Sequence, residues 1–171
     1  MKFASINKCD SGNGPGVRVS FWVQGCPIHC TNCHNKSIWN FEDGQDYTPD
    51  VQETILDLCD LNYISGLSIL GGEPLSGCNL ASLATLTQAF KTRYPKKTIW
   101  VWTGYVLEDL LEKYKENIWF NQILTNIDVL IDGPYDETKR NVTDANQYRG
   151  SENQRIIDVQ KTLKIKKVTE L

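Results

Sequence analysis

Apolar residues along this chain fall into segments with two periods, one typical of strands and one typical of helices. Segments in which β-branched and aromatic residues alternate or run together predict five strands, at residues 18–23, 66–70, 98–104, 127–131 and 153–159. Apolar residues at helical spacing predict three helices between them. The first begins at Pro49 and runs to about Leu61, the second carries its apolar face from Leu80 to Phe90, and the third spans residues 106–114.

Three polar stretches carry no such period. Residues 7–16 are rich in Gly, Asn, Asp and Ser, which predicts tight turns. Residues 140–152 predict a long loop, and the basic segment 161–167 is interpreted as a solvated tail or an edge strand. The predicted core therefore comes from the periodic segments.

Strands that alternate with helices predict an α/β fold with a mostly parallel sheet. A closed eightfold barrel takes roughly 200 residues or more, and this chain has 171. The sequence therefore predicts an incomplete, open (β/α) barrel, formed by a single domain that spans residues 1–171.

Composition restricts the partners and the compartment. The formal net charge is -3 and the pI about 5.4, so we expect no nucleic acid and no membrane as a partner. The N-terminus lacks the apolar region of a signal peptide, and no apolar run reaches transmembrane length, which predicts a cytoplasmic protein. The chain has six cysteines, but a disulfide framework fits badly in a reducing compartment.

Three of these cysteines are the first candidates for chemistry. Cys26, Cys30 and Cys33 form a C-x3-C-x2-C run after the first predicted strand, and a short loop can turn three thiolates toward one metal centre. A zinc site would need a fourth ligand, and His34 is adjacent to Cys33 and poorly placed to supply it. The run favours a 4Fe-4S cluster whose fourth iron is open to a small molecule. A structural zinc knuckle, or cysteines that fill a core, are the alternatives.

The other cysteines receive no part in this site. Cys59 lies on a predicted helix and is interpreted as a buried thiol, whereas Cys9 and Cys78 fall in predicted loops.

A second motif, Gly71-Gly72-Glu73-Pro74, follows the second predicted strand. Two glycines permit conformations closed to other residues and allow a ligand to approach closely, and Pro74 biases Glu73 toward an extended conformation. A carboxylate and carbonyl groups there could bind a ligand ammonium group; a plain strand-to-helix turn is the alternative. The turn ends the strand that follows the cysteine loop, which is the order of motifs in the superfamily that the cysteine spacing resembles, and the two motifs together indicate one site.

The cysteine spacing resembles the cluster loop of the radical S-adenosylmethionine (radical SAM) enzymes. Within that superfamily the chain resembles the anaerobic ribonucleoside-triphosphate reductase activating proteins, over nearly its whole length. The matching segments are Asn13-Gly14-Pro15-Gly16-Val17-Arg18, the cysteine loop with His34-Asn35-Lys36-Ser37 and Trp39, Gly71-Gly72-Glu73-Pro74-Leu75, Trp100-Val101-Trp102-Thr103-Gly104-Tyr105, Asp132-Gly133-Pro134-Tyr135, and Arg149-Gly150-Ser151 with Asn153-Gln154-Arg155.

The resemblance implies a barrel of radical SAM type and a set of site residues. The cluster ligands would be Cys26, Cys30 and Cys33; the methionyl part of S-adenosylmethionine would contact Gly71, Gly72 and Glu73; and its adenosyl end would be flanked by Asn32 and His34 beside Cys33. Many radical SAM proteins carry an aromatic residue where this chain has Asn32, so an adenine contact there would come from the backbone. Trp100 and Trp102 are interpreted as strand packing rather than as walls of the site.

The implied reaction is reduction of the cluster and cleavage of S-adenosylmethionine to methionine and a 5'-deoxyadenosyl radical. That radical would take a hydrogen atom from a glycine in a loop of the anaerobic reductase and leave a glycyl radical there. The implied partners are this reductase and an electron donor such as a flavodoxin-like protein. Two rival hypotheses are a small-molecule radical SAM enzyme, such as a deazaguanine-forming one, and a non-enzymatic zinc-binding module.

Overall fold

The computed structural model describes residues 1–140 and 148–171. Within these ranges seven strands form one sheet: β1 (Lys2–Asp10), β2 (Val17–Val23), β3 (Gln45–Asp46), β4 (Ile64–Gly71), β5 (Thr98–Trp102), β6 (Val129–Asp132) and β7 (Arg155–Asp158). The helices are α1 (Pro49–Cys59), α2 (Leu80–Arg93), α3 (Leu107–Lys113), α4 (Ile118–Asn126) and α5 (Val159–Ile165), with short 3-10 turns at Lys36–Ile38 and Glu137–Lys139. No helix in the described ranges has the length and apolar character needed to cross a membrane.

The sheet is mixed and its two edges do not meet. Its order is β3-β1-β2-β4-β5-β6-β7, and β2, β4, β5 and β6 pair in parallel at its centre. The outer pairings, β1 with β2, β1 with β3 and β6 with β7, are antiparallel. The expectation of an open α/β sheet is confirmed for the described strands, whereas a mostly parallel sheet is wrong. Only a short turn joins β1 to β2, and such a connection returns the chain antiparallel.

Sequence periodicity located most of these elements. The structure confirms the helix that begins at Pro49, where the Thr48 side chain accepts a hydrogen bond from the N–H of Val51, and it buries Cys59 as expected. The inner positions of α2 are buried over the predicted span, from Leu80 to Phe90.

Three predictions need correction or fall outside the described ranges, and some elements were missed. Residues 7–10 continue β1, so the turn is shorter than expected and Cys9 lies on a strand. The segment 161–167 is mostly helix α5, because the Asp158 side chain accepts the N–H of Lys161 at 2.9 Å and caps its first turn. Helix α4 was not predicted. Of the loop predicted at 140–152, residues 141–147 lie outside the described residues.

The two faces of the central strands have different characters, because successive side chains on a strand point to opposite sides. One face is apolar and packs with helices α1, α2 and α4 in the main core; its strand residues include Val19, Phe21, Leu67, Ile69, Ile99, Val101 and Leu130. The opposite face, which we call the inner face, is polar and aromatic; its residues include Arg18, Ser20, Trp22, Ser68, Trp100 and Trp102.

Arg18 organises the inner face. Its guanidinium is fully buried and donates to Ser68 Oγ at 2.7 Å and to the carbonyl of Thr98 at 2.8 Å. Further bonds reach Thr98 Oγ1 and the carbonyl of Leu67, both at 3.0 Å. The Ser68 hydroxyl in turn donates to the carbonyl of Asn13 at 2.6 Å, so Arg18 ties the turn after β1 to the sheet. Burial lowers the pKa of Arg18 to about 10, which leaves it charged at neutral pH.

Candidate functional site

The cysteine loop leaves the carboxyl end of β2 and is anchored to the segment that follows it. The N–H of Gly25 donates to the carbonyl of Ile38 at 2.8 Å, and the N–H of Cys26 donates to that of Trp39 at 2.9 Å. Gly25 has φ +89°, and a Cβ there would lie 2.1 Å from the Phe41 ring. Only glycine fits this position, so β2 delivers Cys26 to a fixed place.

The three loop cysteines are free thiols of intermediate exposure. Burial raises the pKa of Cys26 and of Cys30, because a thiolate loses solvation when water is excluded. The N–H of Asn35 lies 3.4 Å from Cys33 Sγ. A positively charged metal centre would offset this cost at Cys26 and Cys30, because it favours the thiolate form.

The turn formed by Gly71-Gly72-Glu73-Pro74, which we call the glycine turn, lies directly against the start of the cysteine loop. The N–H of Gly72 donates to the carbonyl of Val23 at 2.9 Å, and the N–H of Glu73 donates to the carbonyl of Gly25 at 2.7 Å. Gly71 has φ +113°, and a Cβ at Gly72 would lie 2.2 Å from the carbonyl oxygen of Gly25. Both glycines are therefore required by the close approach of two backbones, which brings the two sequence motifs together.

Glu73 is fully buried beside this turn. Its Oε1 accepts hydrogen bonds from the N–H of Leu75 at 2.8 Å and the hydroxyl of Thr103 at 2.7 Å. Its Oε2 accepts from the N–H of Gly104 at 2.8 Å. Burial raises the pKa of Glu73 to about 7, against the opposing effect of these three bonds. The carboxyl thus joins the ends of β4 and β5, a use that the sequence did not indicate.

A cavity of about 520 Å³ lies at this end of the sheet. Its walls contain most of the residues that sequence analysis singled out: Cys26, Cys30, Cys33, His34, Gly71, Gly72 and Glu73. The His34 ring lies 5.4 Å from the ring of Tyr135, which is also in the wall. Asn32 instead lines a neighbouring pocket together with Tyr135 and Asn153. Seven of the eight predicted site residues therefore share one cavity.

Sequence reasoning missed several residues of the cavity wall, among them Trp22, Trp102 and Tyr148. The interpretation of Trp100 as strand packing agrees with its 6% exposure and its contacts with Val129 and Ile131. Trp102 differs, because it lines the cavity and its Nε1 donates to the carbonyl of Tyr148 at 2.8 Å. The available signal was strand alternation, since Trp22 and Trp102 follow Ser20 and Trp100 by two positions on the inner face.

The far wall of the cavity is fixed by Gln154. Its Nε2 donates to the carbonyl of Gly133 at 2.9 Å, and its Oε1 accepts the N–H of Gly150 at 2.8 Å. The next residue, Arg155, donates to the buried carboxylate of Asp132, which also accepts the N–H of Leu107 at 2.8 Å. The Asp132-Gly133 and Gln154-Arg155 pairs therefore act together as structural supports of this wall.

The residues present fit an iron–sulfur cluster and a small organic ligand. Three thiols share the wall of one cavity, and the glycine turn gives an adjoining surface where a side chain has no room. In the described part of the chain, the three cysteines included, no three His, Cys, Asp or Glu side chains form a group suited to a single metal ion. Sulfurs arranged around a cavity suit a centre with several irons.

Comparison with known proteins agrees with this fit. A family model described as a 4Fe-4S single cluster domain matches residues 12–157. A protein of Enterobacteria phage T4 is 37% identical over 156 residues, which cover 91% of this chain and 93% of the relative. Relatives from Vibrio cholerae and Pasteurella multocida are 36% and 38% identical, over 90% of this chain and 96% and 95% of their own lengths. All three are named anaerobic ribonucleoside-triphosphate reductase-activating protein.

Proposed function

The chain belongs to the family of anaerobic ribonucleoside-triphosphate reductase-activating proteins, and from this premise we propose that it is a radical SAM activase. It would cleave S-adenosylmethionine reductively at a 4Fe-4S cluster and generate a glycyl radical on the anaerobic ribonucleotide reductase. The whole chain would act as one domain, an open barrel of radical SAM type, in the cytoplasm. The observation that carries the proposal is the shared cavity of the three cysteines and the glycine turn.

The cluster would be held by Cys26, Cys30 and Cys33. Their loop is fixed at its start by the backbone bonds of Gly25 and Cys26, beside the cavity that all three cysteines line. When bound and reduced by an external electron donor, the cluster would supply one electron for the cleavage of S-adenosylmethionine to methionine and a 5'-deoxyadenosyl radical, which would remove a hydrogen atom from a glycine Cα. The protein supplies the binding and the orientation.

S-adenosylmethionine would lie between the cysteine loop and the ends of β4 and β5. Gly71, Gly72 and Glu73 would bind its methionyl part, with the glycines allowing close backbone approach and Glu73 holding the turn in place through Thr103 and Gly104. His34 and the backbone at Asn32 would flank its adenosyl end. The aromatic walls formed by Trp22 and Trp102 would exclude water from the cavity.

The substrate would be a glycine loop of the partner reductase, and the reductant an electron donor such as a flavodoxin-like protein. An open sheet would let a loop carried by a folded partner reach the cavity from the side, which suits a protein substrate better than a free small molecule. The glycine Cα must come within about 3–4 Å of the reacting carbon, because such a transfer needs near-attack geometry.

The test is anaerobic incubation of the reconstituted protein with S-adenosylmethionine, a reductant and the anaerobic reductase. A glycyl-radical doublet in the EPR spectrum of the reductase is expected, with 5'-deoxyadenosine formed alongside it. Cys30→Ala should lose both signals, whereas Cys78→Ala, which removes an exposed thiol outside the cavity, should keep them. The proposal fails if no doublet forms while a small heterocycle is turned over with S-adenosylmethionine.

A further inference from the structure

Each cysteine of the cysteine loop, Cys26, Cys30 and Cys33, is directly preceded by a residue with positive φ. Gly25 before Cys26 has φ +89°, His29 before Cys30 has φ +53°, and Asn32 before Cys33 has φ +58°. Of the four non-glycine residues with positive φ in the described chain, two are these loop positions. The pattern repeats at all three cysteines although their spacings differ, so it belongs to the way the loop presents its thiols.

A residue with positive φ reverses the local hand of the chain and so redirects the Cα–Cβ bond of the residue after it. Glycine adopts this conformation freely, and Asn and His are among the few other residues that tolerate it. The residue types at these three positions are therefore those that the backbone requires. The turn is closed by the N–H of Cys33, which donates to the carbonyl of Cys30 at 3.1 Å.

The side chain of Asn32 lines the pocket next to the cavity and is exposed. It makes no hydrogen bond to any residue of the described ranges. His29 differs, because its ring stacks on Trp39 with ring centroids 4.3 Å apart, and this contact adds support to the loop. At position 32, the backbone conformation is what the structure uses.

We propose that Asn32 is a positioning residue for the iron–sulfur cluster, and that it acts through its left-handed backbone rather than through its amide. The inference rests on the proposed cluster at Cys26, Cys30 and Cys33. The left-handed conformation turns Cys33 toward the cavity that holds the other two thiols. A residue that resists this conformation would leave the third thiol misdirected in part of the molecules, and the cluster would be lost more readily.

The test compares Asn32→Val, whose β-branched side chain disfavours positive φ, with Asn32→Gly, which accepts it. Thr31→Val is the matched control, because it places valine in the same loop at a residue whose φ is not positive. After anaerobic reconstitution, iron and acid-labile sulfide are counted per chain and the rate of iron loss to a chelator is measured. Asn32→Val should lose iron roughly five- to thirtyfold faster than the wild type, with Asn32→Gly and Thr31→Val close to the wild type.

Thermal melts of the metal-free variants, followed by circular dichroism, check that all of them fold. Equal iron retention by folded Asn32→Val and the wild type would overturn the inference. Loss in Asn32→Gly equal to that in Asn32→Val would also overturn it, because the side chain would then matter rather than the backbone. If the wild type itself takes up no iron and sulfide, the proposed function fails instead.

Discussion

Gly72→Ala tests whether the contact between the glycine turn and the cysteine loop determines the geometry of the site. The added Cβ would lie 2.2 Å from the carbonyl oxygen and 2.7 Å from the carbonyl carbon of Gly25. Both are backbone atoms, so no side chain can rotate away. The two loops must separate, and the 2.7 Å hydrogen bond between the N–H of Glu73 and the carbonyl of Gly25 is lost with the movement.

The expected loss of stability combines three contributions. Overpacking typically costs about 1–3 kcal/mol, and a buried donor left without its acceptor costs about 1–3 kcal/mol more. Replacement of glycine restricts the unfolded chain, which returns about 0.4–1 kcal/mol. We therefore expect the free energy of unfolding to fall by about 1–6 kcal/mol, with a middle value of about 3 kcal/mol. At about 2–4 °C for each kcal/mol in a chain of this size, the middle value lowers the melting temperature by about 6–12 °C.

The measurement is urea unfolding of the metal-free protein, together with anaerobic calorimetry of S-adenosylmethionine binding to the reconstituted one. Gly77→Ala is the matched control, because a Cβ at that exposed glycine would meet its nearest atom, the Tyr114 hydroxyl, at an ordinary 3.4 Å. The free energy of unfolding of Gly77→Ala should lie within about 0.5 kcal/mol of the wild-type value. Indistinguishable unfolding midpoints for the two variants would refute the reasoning.

Two further predictions concern buried ionisable groups. Burial raises the pKa of Glu73 to about 7 from its ordinary 4.5, so the folded protein holds a proton that the unfolded chain releases. The stability from this group is present below about pH 4.5 and is lost as the pH rises through 7. Glutamine does not titrate, so the difference in free energy of unfolding between the wild type and Glu73→Gln should decrease from pH 5 to pH 8 in urea unfolding. A difference that stays constant over this range contradicts the prediction. Arg18→Lys keeps the charge but loses the planar set of donors that reaches Ser68, Thr98 and Leu67. Arg18→Lys should lower the free energy of unfolding by about 2–4 kcal/mol. A change below about 0.5 kcal/mol would show that the planar donors of the guanidinium are not needed.

Sequence periodicity located the central strands and the helices beginning at Pro49 and Leu80 because their burial imposes a regular pattern. It failed where burial is one-sided or interrupted. The far half of β1, residues 7–10, is mostly exposed and polar, so its composition reads as a turn. Helix α5 is short and exposed along much of its length, and its main signal was the capping carboxylate of Asp158. The mixed character of the sheet arises at its outer strands, and of these the sequence did not predict β1 and β3.

At the candidate site, the short motifs predicted which residues gather in the cavity, whereas the supports around them required the structure. Nothing in the local sequence around Glu73 indicates that its carboxyl is bonded by Thr103 and Gly104, since those donors lie about thirty positions along the chain. The same holds for Gln154, whose partners are Gly133 and Gly150. Long-range contacts of this kind are set by sheet order and strand register rather than by the residues next to them.

The register of the parallel pairing between β2 and β4 fixes the relative position of the cysteine loop and the glycine turn. Val23 pairs with Gly71, and from that level the two strands run on directly into the cysteine loop and the glycine turn. Side chains alternate between the apolar core and the inner face, so a shift of one position would exchange the two sets. A single-residue insertion in β4 would therefore bury polar groups and displace the turn by about 3.3 Å at once. We therefore expect the site to tolerate a substitution within these strands better than an insertion or deletion that changes their length.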